Sequence, residues 1–178
     1  MKLKILANNA FNFGVNRIIE IIGVTILIAG ALLLASLVTF SPDDPNFIFP
    51  DKTEIKNLLG FRGSFLADIF FQSFGMIALL IPFSLIFSGI NIILCKKILL
   101  ILECIFYTSL YSLLGALFFS SFYPIAFKLY INGNGGFVGS YLETTFLDFI
   151  IGLNSQIFYY IIIFLILFLF LISIHFKI

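Results

Sequence analysis

The sequence contains little charge, few metal-binding residues and no tryptophan. Asp, Glu, Lys and Arg make up 11% of its 178 residues, whereas a soluble domain carries about 25%. The net charge of +1 gives no basic surface for a nucleic acid. Two cysteines, Cys95 and Cys104, and one histidine, His175, offer too few ligands for a metal site. These absences disfavour a soluble or nucleic-acid-binding domain, and no metal or cofactor is expected.

Apolar residues dominate what is present. They form 61% of the chain, and the mean hydropathy is +1.17. Such a chain folds in lipid, because in water it would expose a large apolar surface. The long apolar runs predict an all-α membrane protein, a four-transmembrane-helix bundle that forms a single domain over residues 1–178. The four predicted spans are about 18–40, 69–95, 98–123 and 155–176.

Local features refine three of these spans. The uncharged run Ile21–Phe40 has 20 residues, which favours an uncleaved anchor over a signal peptide, whose apolar segment has about 7–15. Pro82 predicts a kink near the middle of the second span. In the third span, a crossing that begins at Cys104 keeps Glu103 at the interface. Ile98–Leu102 would then lie on the membrane surface or complete a tight helical hairpin.

A shorter helix is predicted before the last span, over Phe137–Gly152. Its 16 residues are too few to cross the bilayer, and two acidic residues interrupt it. Its apolar residues recur at helical spacing, which indicates an amphipathic helix in the interface. These apolar residues are Val138, Tyr141, Leu142, Phe146, Phe149 and Ile150.

Basic residues predict the orientation. Six lie on the side of both termini and four on the other side, so the positive-inside rule places both termini in the cytoplasm. The six are Lys2, Lys4, Arg17, Lys96, Lys97 and Lys177, and the four are Lys52, Lys56, Arg62 and Lys128.

Small residues at helical spacing indicate where helices meet. One such face holds Gly60, Gly63, Ser64 and Ala67, and the other holds Ser109, Ser112, Gly115 and Ala116. We interpret both as helix–helix contacts within the bundle, or alternatively as partly spare faces for a second copy or another membrane protein. Asp68 follows the first face, and a carboxylate there needs a partner: Arg62, backbone amides of the Ser41–Pro45 turn, or another protein.

No catalytic arrangement is visible in the spans. A nucleophile with a base, paired acids or a metal cluster would be needed for an intramembrane enzyme. A small multi-span transporter or channel subunit is the alternative to an anchor. Few polar residues at bilayer depth argue against a substrate path, although a pore between protomers stays open.

Motifs between the first two spans carry a resemblance. S-P-D-D-P-N-F, then N-x-x-G-x-x-G-S-x-x-A-D, then F-G, resemble the N-terminal four-transmembrane domain of the FtsK/SpoIIIE family of DNA translocases. A second block, G-G-F-V-G-S-Y-L-E-T-T-F, resembles the glycine-led segment before the family's fourth span. The residues that match, and that would serve packing or partner contact, are Ser41, Asp44, Pro45, Asn57, Gly60, Gly63, Ala67, Asp68, Phe74, Gly75, Gly135, Gly136 and Gly139.

The resemblance implies a role in cell division and chromosome partition. Family members anchor a hexameric ATPase that pumps DNA through the closing septum, and the anchor recruits the motor there. It implies a bacterial inner-membrane protein at the septum, in contact with the lipid bilayer, with other division proteins and with further copies of itself in a hexamer.

The motor itself is missing from these residues. The chain contains no G-x-x-x-x-G-K-[ST], so no ATPase or DNA-pumping activity is expected of it, and DNA would be reached only through a separate motor domain. Three interpretations stay open: a fragment, a gene split from its motor, or a stand-alone anchor.

Overall fold

The computed structural model describes the backbone of residues 2–45, 54–124, 132–150 and 155–175, and the side chains of 11–45, 54–124, 132–145 and 156–175. These residues form helices joined by turns and contain no strand, which confirms the all-α prediction. The elements are α1 (Lys2–Val38), α2 (Gly60–Phe74), a 3₁₀ segment (Gly75–Leu80), α3 (Ile81–Cys95), α4 (Leu99–Phe122), α5 (Gly136–Ile150) and α6 (Ser155–Ser173).

Within the described residues, four helical stretches are long and apolar enough to cross a membrane, as the sequence predicts. A helix pairs most of its backbone N–H and C=O groups internally, which is what a lipid environment demands. The four stretches are Phe11–Val38, Gly60–Cys95, Leu99–Phe122 and Gln156–Ser173.

The helices pack in two layers around the 3₁₀ segment. α1 runs along α3, α4 runs along α6, and α3 contacts α4 between them. Ile77 of the 3₁₀ segment belongs to the apolar cluster that α4 and α6 form, with Tyr111 and Ile162. The next residue, Ala78, belongs to the cluster on the α1 side, with Leu37. The 3₁₀ segment therefore joins the two halves of the core.

The second candidate span is interrupted at Gly75 and not at Pro82. Gly75 has a φ of 67°, the left-handed region that glycine adopts without strain. Pro82 lies in the first turn of α3, where its missing N–H costs no helical hydrogen bond. The sequence prediction of a kink at the proline was therefore wrong in position, because the break is a full 3₁₀ segment that precedes it.

The break at Gly75 also changes the direction of the chain. Along α2, Gly63 accepts a hydrogen bond from Ser36 and the ring of Phe71 packs against that of Phe40, so α2 runs towards the C-terminal end of α1. Along α3 the course is opposite, since Ile86 lies at Gly30 and a later residue, Gly89, lies at Gly23. Hence α2 lies across the end of α1, and the path back through the bundle begins with the 3₁₀ segment.

The turn between α3 and α4 is tight, as the helical-hairpin alternative for Ile98–Leu102 predicts. Lys96 takes a left-handed conformation with φ 55°, and α4 begins at Leu99. Ile98–Leu102 therefore form no separate surface segment, because α4 begins before Cys104. Glu103 is half exposed near the start of α4 and lies 3.6 Å from the imidazole Nδ1 of His175. A charge at the helix end is tolerated because its side chain reaches the interface.

The helix α5 matches the predicted amphipathic segment, and its described part packs against α4 and α2. Val138 and Leu142 contact the apolar cluster, whereas Tyr141 is exposed. The other three apolar positions, Phe146, Phe149 and Ile150, have side chains outside the described residues.

Ion pairs mark one end of the bundle, and the meeting of α1 with α2 marks the other. Glu20 of α1 lies 3.1 Å from Lys96 and 2.5 Å from Arg17, and these residues mark what we call the Lys96 end. The opposite end, where α1 finishes and α2 begins around Asn57, we call the Asn57 end. Motif residues that carry the resemblance, among them Asp44, Asn57 and Gly63, make their contacts at this second end.

Candidate functional site

Asp44 fixes the turn that follows α1. Its carboxylate accepts hydrogen bonds from the backbone N–H groups of Lys56 at 2.8 Å and Asn57 at 2.9 Å. The carbonyl of Ser41 accepts the N–H of Asp44 at 3.1 Å, which closes the turn. Asp44 is only 4% exposed, so its charge is stabilised by these N–H donors and not by water. The turn after α1 is thereby tied to the segment that opens α2.

Asn57 joins the ends of two helices. Its side-chain amide donates to the carbonyls of Ser36 at 2.8 Å and Thr39 at 3.3 Å, at the C-terminal end of α1. Its Oδ1 accepts the N–H of Leu59 at 3.1 Å, just before α2. Helix ends leave carbonyl and N–H groups without intrahelical partners, and one asparagine supplies both kinds of partner here.

The small residues of α2 allow close contact with α1 and with the turn. The Ser36 hydroxyl donates to the carbonyl of Gly63 at 2.5 Å, and the Ser64 hydroxyl donates to that of Pro45 at 2.8 Å. Ala67 is fully buried on the same face. A Cβ at Gly63 would collide with the side chain of Asn57. This face therefore requires its small residues for packing within the chain.

Gly60 is required for a different reason. A Cβ at this position would meet nothing within 4 Å, so space is not limiting. Its φ of 64° is what favours glycine, because other residues are strained in the left-handed region. The glycine starts α2 directly after the Asn57 turn.

Gly75 receives the second loop of the Asn57 end. The N–H of Met76 donates to the carbonyl of Asn134 at 2.9 Å, and a Cβ on Gly75 would overlap that carbonyl. Asn134 is fully buried, and its side chain donates to the carbonyl of Tyr123 at 2.5 Å. Gly136, with φ 65°, has the backbone of Ser73 2.6 Å from its ideal Cβ. The loop before α5 is thus locked into the break before α3.

Gly135 and Gly139 bring α5 onto α4. Ideal Cβ atoms on both glycines would crowd the carbonyl of Ala116. Beside this contact, the Ser120 hydroxyl donates a short hydrogen bond to the Glu143 carboxylate. Most of the second small-residue face is also turned towards the inside of the bundle. Gly115 lies against Ile77, and Ser112 and Ala116 are buried. Ser109 is exposed.

Asp68 is placed apart from the other motif residues. It is 7% exposed, and within the described residues its hydrogen bond is to the side-chain amide of Gln72, at 3.5 Å. The two intramolecular partners expected from the sequence were wrong: Arg62 is exposed elsewhere on α2, and amides of the turn after α1 do not reach Asp68. Asp68 instead lines an open groove of about 390 Å³ between α2 and the start of α5.

Sequence reasoning missed two structural features of the bundle core. A Cβ on Gly23 would lie 3.0 Å from the carbonyl oxygen of Gly89, so these glycines let α1 and α3 touch. The Ser84 hydroxyl lies 2.9 Å from Tyr111 and 2.7 Å from Ser173, which links α3, α4 and α6. The spacing of the glycines gave an indication of the contact between α1 and α3. The hydroxyl contacts of Ser84 join residues far apart along the chain, which spacing does not reveal.

The described polar side chains do not form the groupings that metal binding or nucleophilic catalysis requires. Within the described residues, no group of three His, Cys, Asp or Glu could hold a metal ion. The buried hydroxyls around Ser84 have Cys104 as a neighbour, whose thiol donates to the Ser84 carbonyl at 3.6 Å, and no base completes a catalytic set there. The fold and its polar end thus define a multi-pass helical membrane domain.

Comparison with known proteins identifies the family. Residues 15–177 match the family model described as the 4TM region of DNA translocase FtsK/SpoIIIE, and the chain belongs to this family.

Three relatives carry the name DNA translocase FtsK. The chain is 39% identical to the Rickettsia bellii protein over 64 residues, 36% of this chain and 8% of that protein. It is 40% identical to the Rhizobium meliloti protein over 60 residues, covering 34% and 7%. With the Rickettsia typhi protein it shares 34% over 88 residues, covering 49% and 10%. The matches therefore span at most a tenth of these relatives, and no solved structure matches the chain.

Proposed function

We propose that this chain is the membrane anchor that holds a DNA translocase at the division septum of a bacterial inner membrane. The family match over residues 15–177 is the observation that carries the proposal. The relatives named as DNA translocases are far longer than the matched region, which leaves room in them for a motor outside it. The anchor contributes no ATP hydrolysis or DNA pumping of its own, because its sequence lacks a phosphate-binding loop.

The two ends of the bundle suit different tasks in this proposal. The Lys96 end faces the cytoplasm, where both termini lie and where a motor domain would follow α6. The Asn57 end faces outward, where two loops and the helices α2 and α5 are joined by hydrogen bonds into one surface. A rigid surface of this kind can present a fixed shape to other division proteins. Association of copies into a hexamer completes the proposal and would be set by the motor ring.

Localisation of a fluorescent fusion in dividing cells tests this function. We expect the wild-type fusion to gather at mid-cell during constriction, because the Asn57 end supplies the contacts that recruit it. The variant Gly75→Val should insert into the membrane but spread around the cell, since its side chain displaces Asn134 and detaches the loop before α5 from the break at Gly75. A matched control is Gly14→Val, where nothing lies within 4 Å of the added Cβ.

Two results would contradict the proposal. A wild-type fusion spread evenly over the membrane would remove septal recruitment. Substrate flux or ionic current through purified protein in vesicles would favour the transporter or channel alternative instead.

A further inference from the structure

The groove beside Asp68 holds an acid that the protein does not neutralise within its described part. Asp68 is more than nine-tenths buried and lines the groove, where Gln72 gives it one long hydrogen bond of 3.5 Å. A buried carboxylate is costly unless a cation or several donors face it. Of the two described basic residues on this side, Lys56 pairs with Asp43 at 3.0 Å, and Arg62 is exposed on another face of α2. Among the described residues no cation reaches Asp68, so the groove presents an acid that a cationic group can meet.

The walls of the groove are apolar and face the membrane. Ile69 is 43% exposed and Phe137 is 63% exposed, and both line the groove together with Asp68. Phe137 also stacks with Tyr141 of α5 at a ring-centroid distance of 6.4 Å. Aromatic and branched side chains of this kind suit the boundary between headgroups and acyl chains.

The level of the groove in the membrane follows from α1. Phe71 of α2 packs against Phe40, and Phe40 is the last residue of the first apolar run. Because α2 lies across that end of α1, Asp68 is at the level where lipid headgroups begin. A lipid is present there at high concentration, so a headgroup can occupy the groove before any protein partner does.

We propose that this groove binds the ammonium headgroup of an aminophospholipid, such as phosphatidylethanolamine, with its amine on Asp68 and its glycerol and chains against Ile69 and Phe137. A primary ammonium has three donors and meets a carboxylate as a charge-assisted hydrogen bond. The groove volume of about 390 Å³ falls within the usual range of small-molecule sites, about 300–1,000 Å³. This site rests on the membrane location of the chain and not on septal recruitment.

Backbone contacts hold the groove in shape without a ligand. The N–H of Asn132 donates to the side-chain oxygen of Gln72, and the Asn132 side chain donates to the Gln72 carbonyl, both at 3.3 Å. Gln72 is thereby oriented with its amide towards Asp68. A preformed site loses less freedom when a headgroup enters.

Lipid titration of the purified chain tests the site. Phosphatidylethanolamine, phosphatidylcholine and phosphatidylglycerol with identical acyl chains would be added to protein in detergent, and bound lipids counted by native mass spectrometry. We expect the wild type to bind phosphatidylethanolamine about tenfold more tightly than the other two, as charge-assisted hydrogen bonds permit. Phosphatidylcholine has no ammonium donor and phosphatidylglycerol has no cation, so equal binding of all three would overturn the proposal.

Variants assign the preference to the groove. Asp68→Asn should lose the selectivity, whereas Glu54→Gln, which removes an exposed acid at the same end, should keep it. Phe137→Ala should weaken all three lipids alike and leave the selectivity unchanged, which provides a test if Asp68→Asn does not fold. Selectivity that survives Asp68→Asn would overturn the proposal. A change of oligomeric state in Asp68→Asn with unselective wild-type binding would assign the groove to a second copy instead.

Discussion

Single polar residues hold the Asn57 end together, and their type follows from the backbone groups they serve. Asn57 is the clearest case, because it both donates to α1 and accepts from the start of α2. The resemblance singled out this residue, but its partners, the carbonyls of Ser36 and Thr39, lie about twenty residues earlier. Spacing along a chain cannot show such a contact, since it depends on how α2 folds back over α1.

Replacing Asn57 by Ala should lower the thermal stability of the purified protein in detergent. The substitution leaves the carbonyl of Ser36 and the N–H of Leu59 without their side-chain partners, at about 1–3 kcal/mol for each buried group left unsatisfied. The melting curve of Glu54→Ala, an exposed neighbour on the same loop, serves as the control. Equal melting temperatures for the two variants would contradict this role.

Gly60 and Gly75 have similar φ angles but should respond differently to substitution by alanine. Gly60→Ala meets open space and incurs only the left-handed penalty of roughly 1–2 kcal/mol. Gly75→Ala adds an overlap with the carbonyl of Asn134, so it should also break the hydrogen bond to Met76. Amide hydrogen exchange at Met76 should rise in Gly75→Ala and stay unchanged in Gly60→Ala. Equal exchange in both variants would contradict the locked loop.

At the scale of elements, periodicity and length predicted the four membrane helices and the amphipathic helix before the last one. What they could not predict is the path between α1 and α3. The run from Gly60 to Cys95 is apolar throughout, and at about 1.5 Å per residue its 36 residues exceed a bilayer core of about 30 Å. Only the contacts of α2 with the end of α1 show that the break falls at Gly75. In the sequence, Pro82 was the stronger indication of a break, but it lies in the first turn of α3.

Close packing of α1 against α3 gives a prediction at this scale. Gly23→Val should separate the two helices, because even a Cβ there would lie 2.7 Å from the side chain of Ile93. In lipid such contacts are the main source of helix association, so the variant should unfold at lower temperature or lower concentration of denaturing detergent. Gly14→Val lies on the same helix with open space around it and should match the wild type. A Gly23→Val variant as stable as Gly14→Val would contradict the crossing.

At the scale of the whole molecule, several of the residues that carry the resemblance make their contacts at one end of the bundle. Asp44, Asn57, Gly63 and Gly75 serve contacts within the chain, whereas Asp68 faces an open groove. The motif is therefore mostly an architectural requirement for folding two loops over the membrane helices. The sequence predicted that these residues matter, but their division into packing and surface roles required the three-dimensional contacts.

We expect the Asn57 end to lie outside the cytoplasm and the Lys96 end inside it. Labelling with a membrane-impermeant maleimide on spheroplasts measures this directly, using the natural Cys95, which is exposed beside Lys96, and a Glu54→Cys variant in a Cys95→Ser background. We expect Glu54→Cys to be labelled from outside and Cys95 to be labelled only after the membrane is permeabilised. Labelling of Cys95 in intact spheroplasts, with Glu54→Cys protected, would contradict the account.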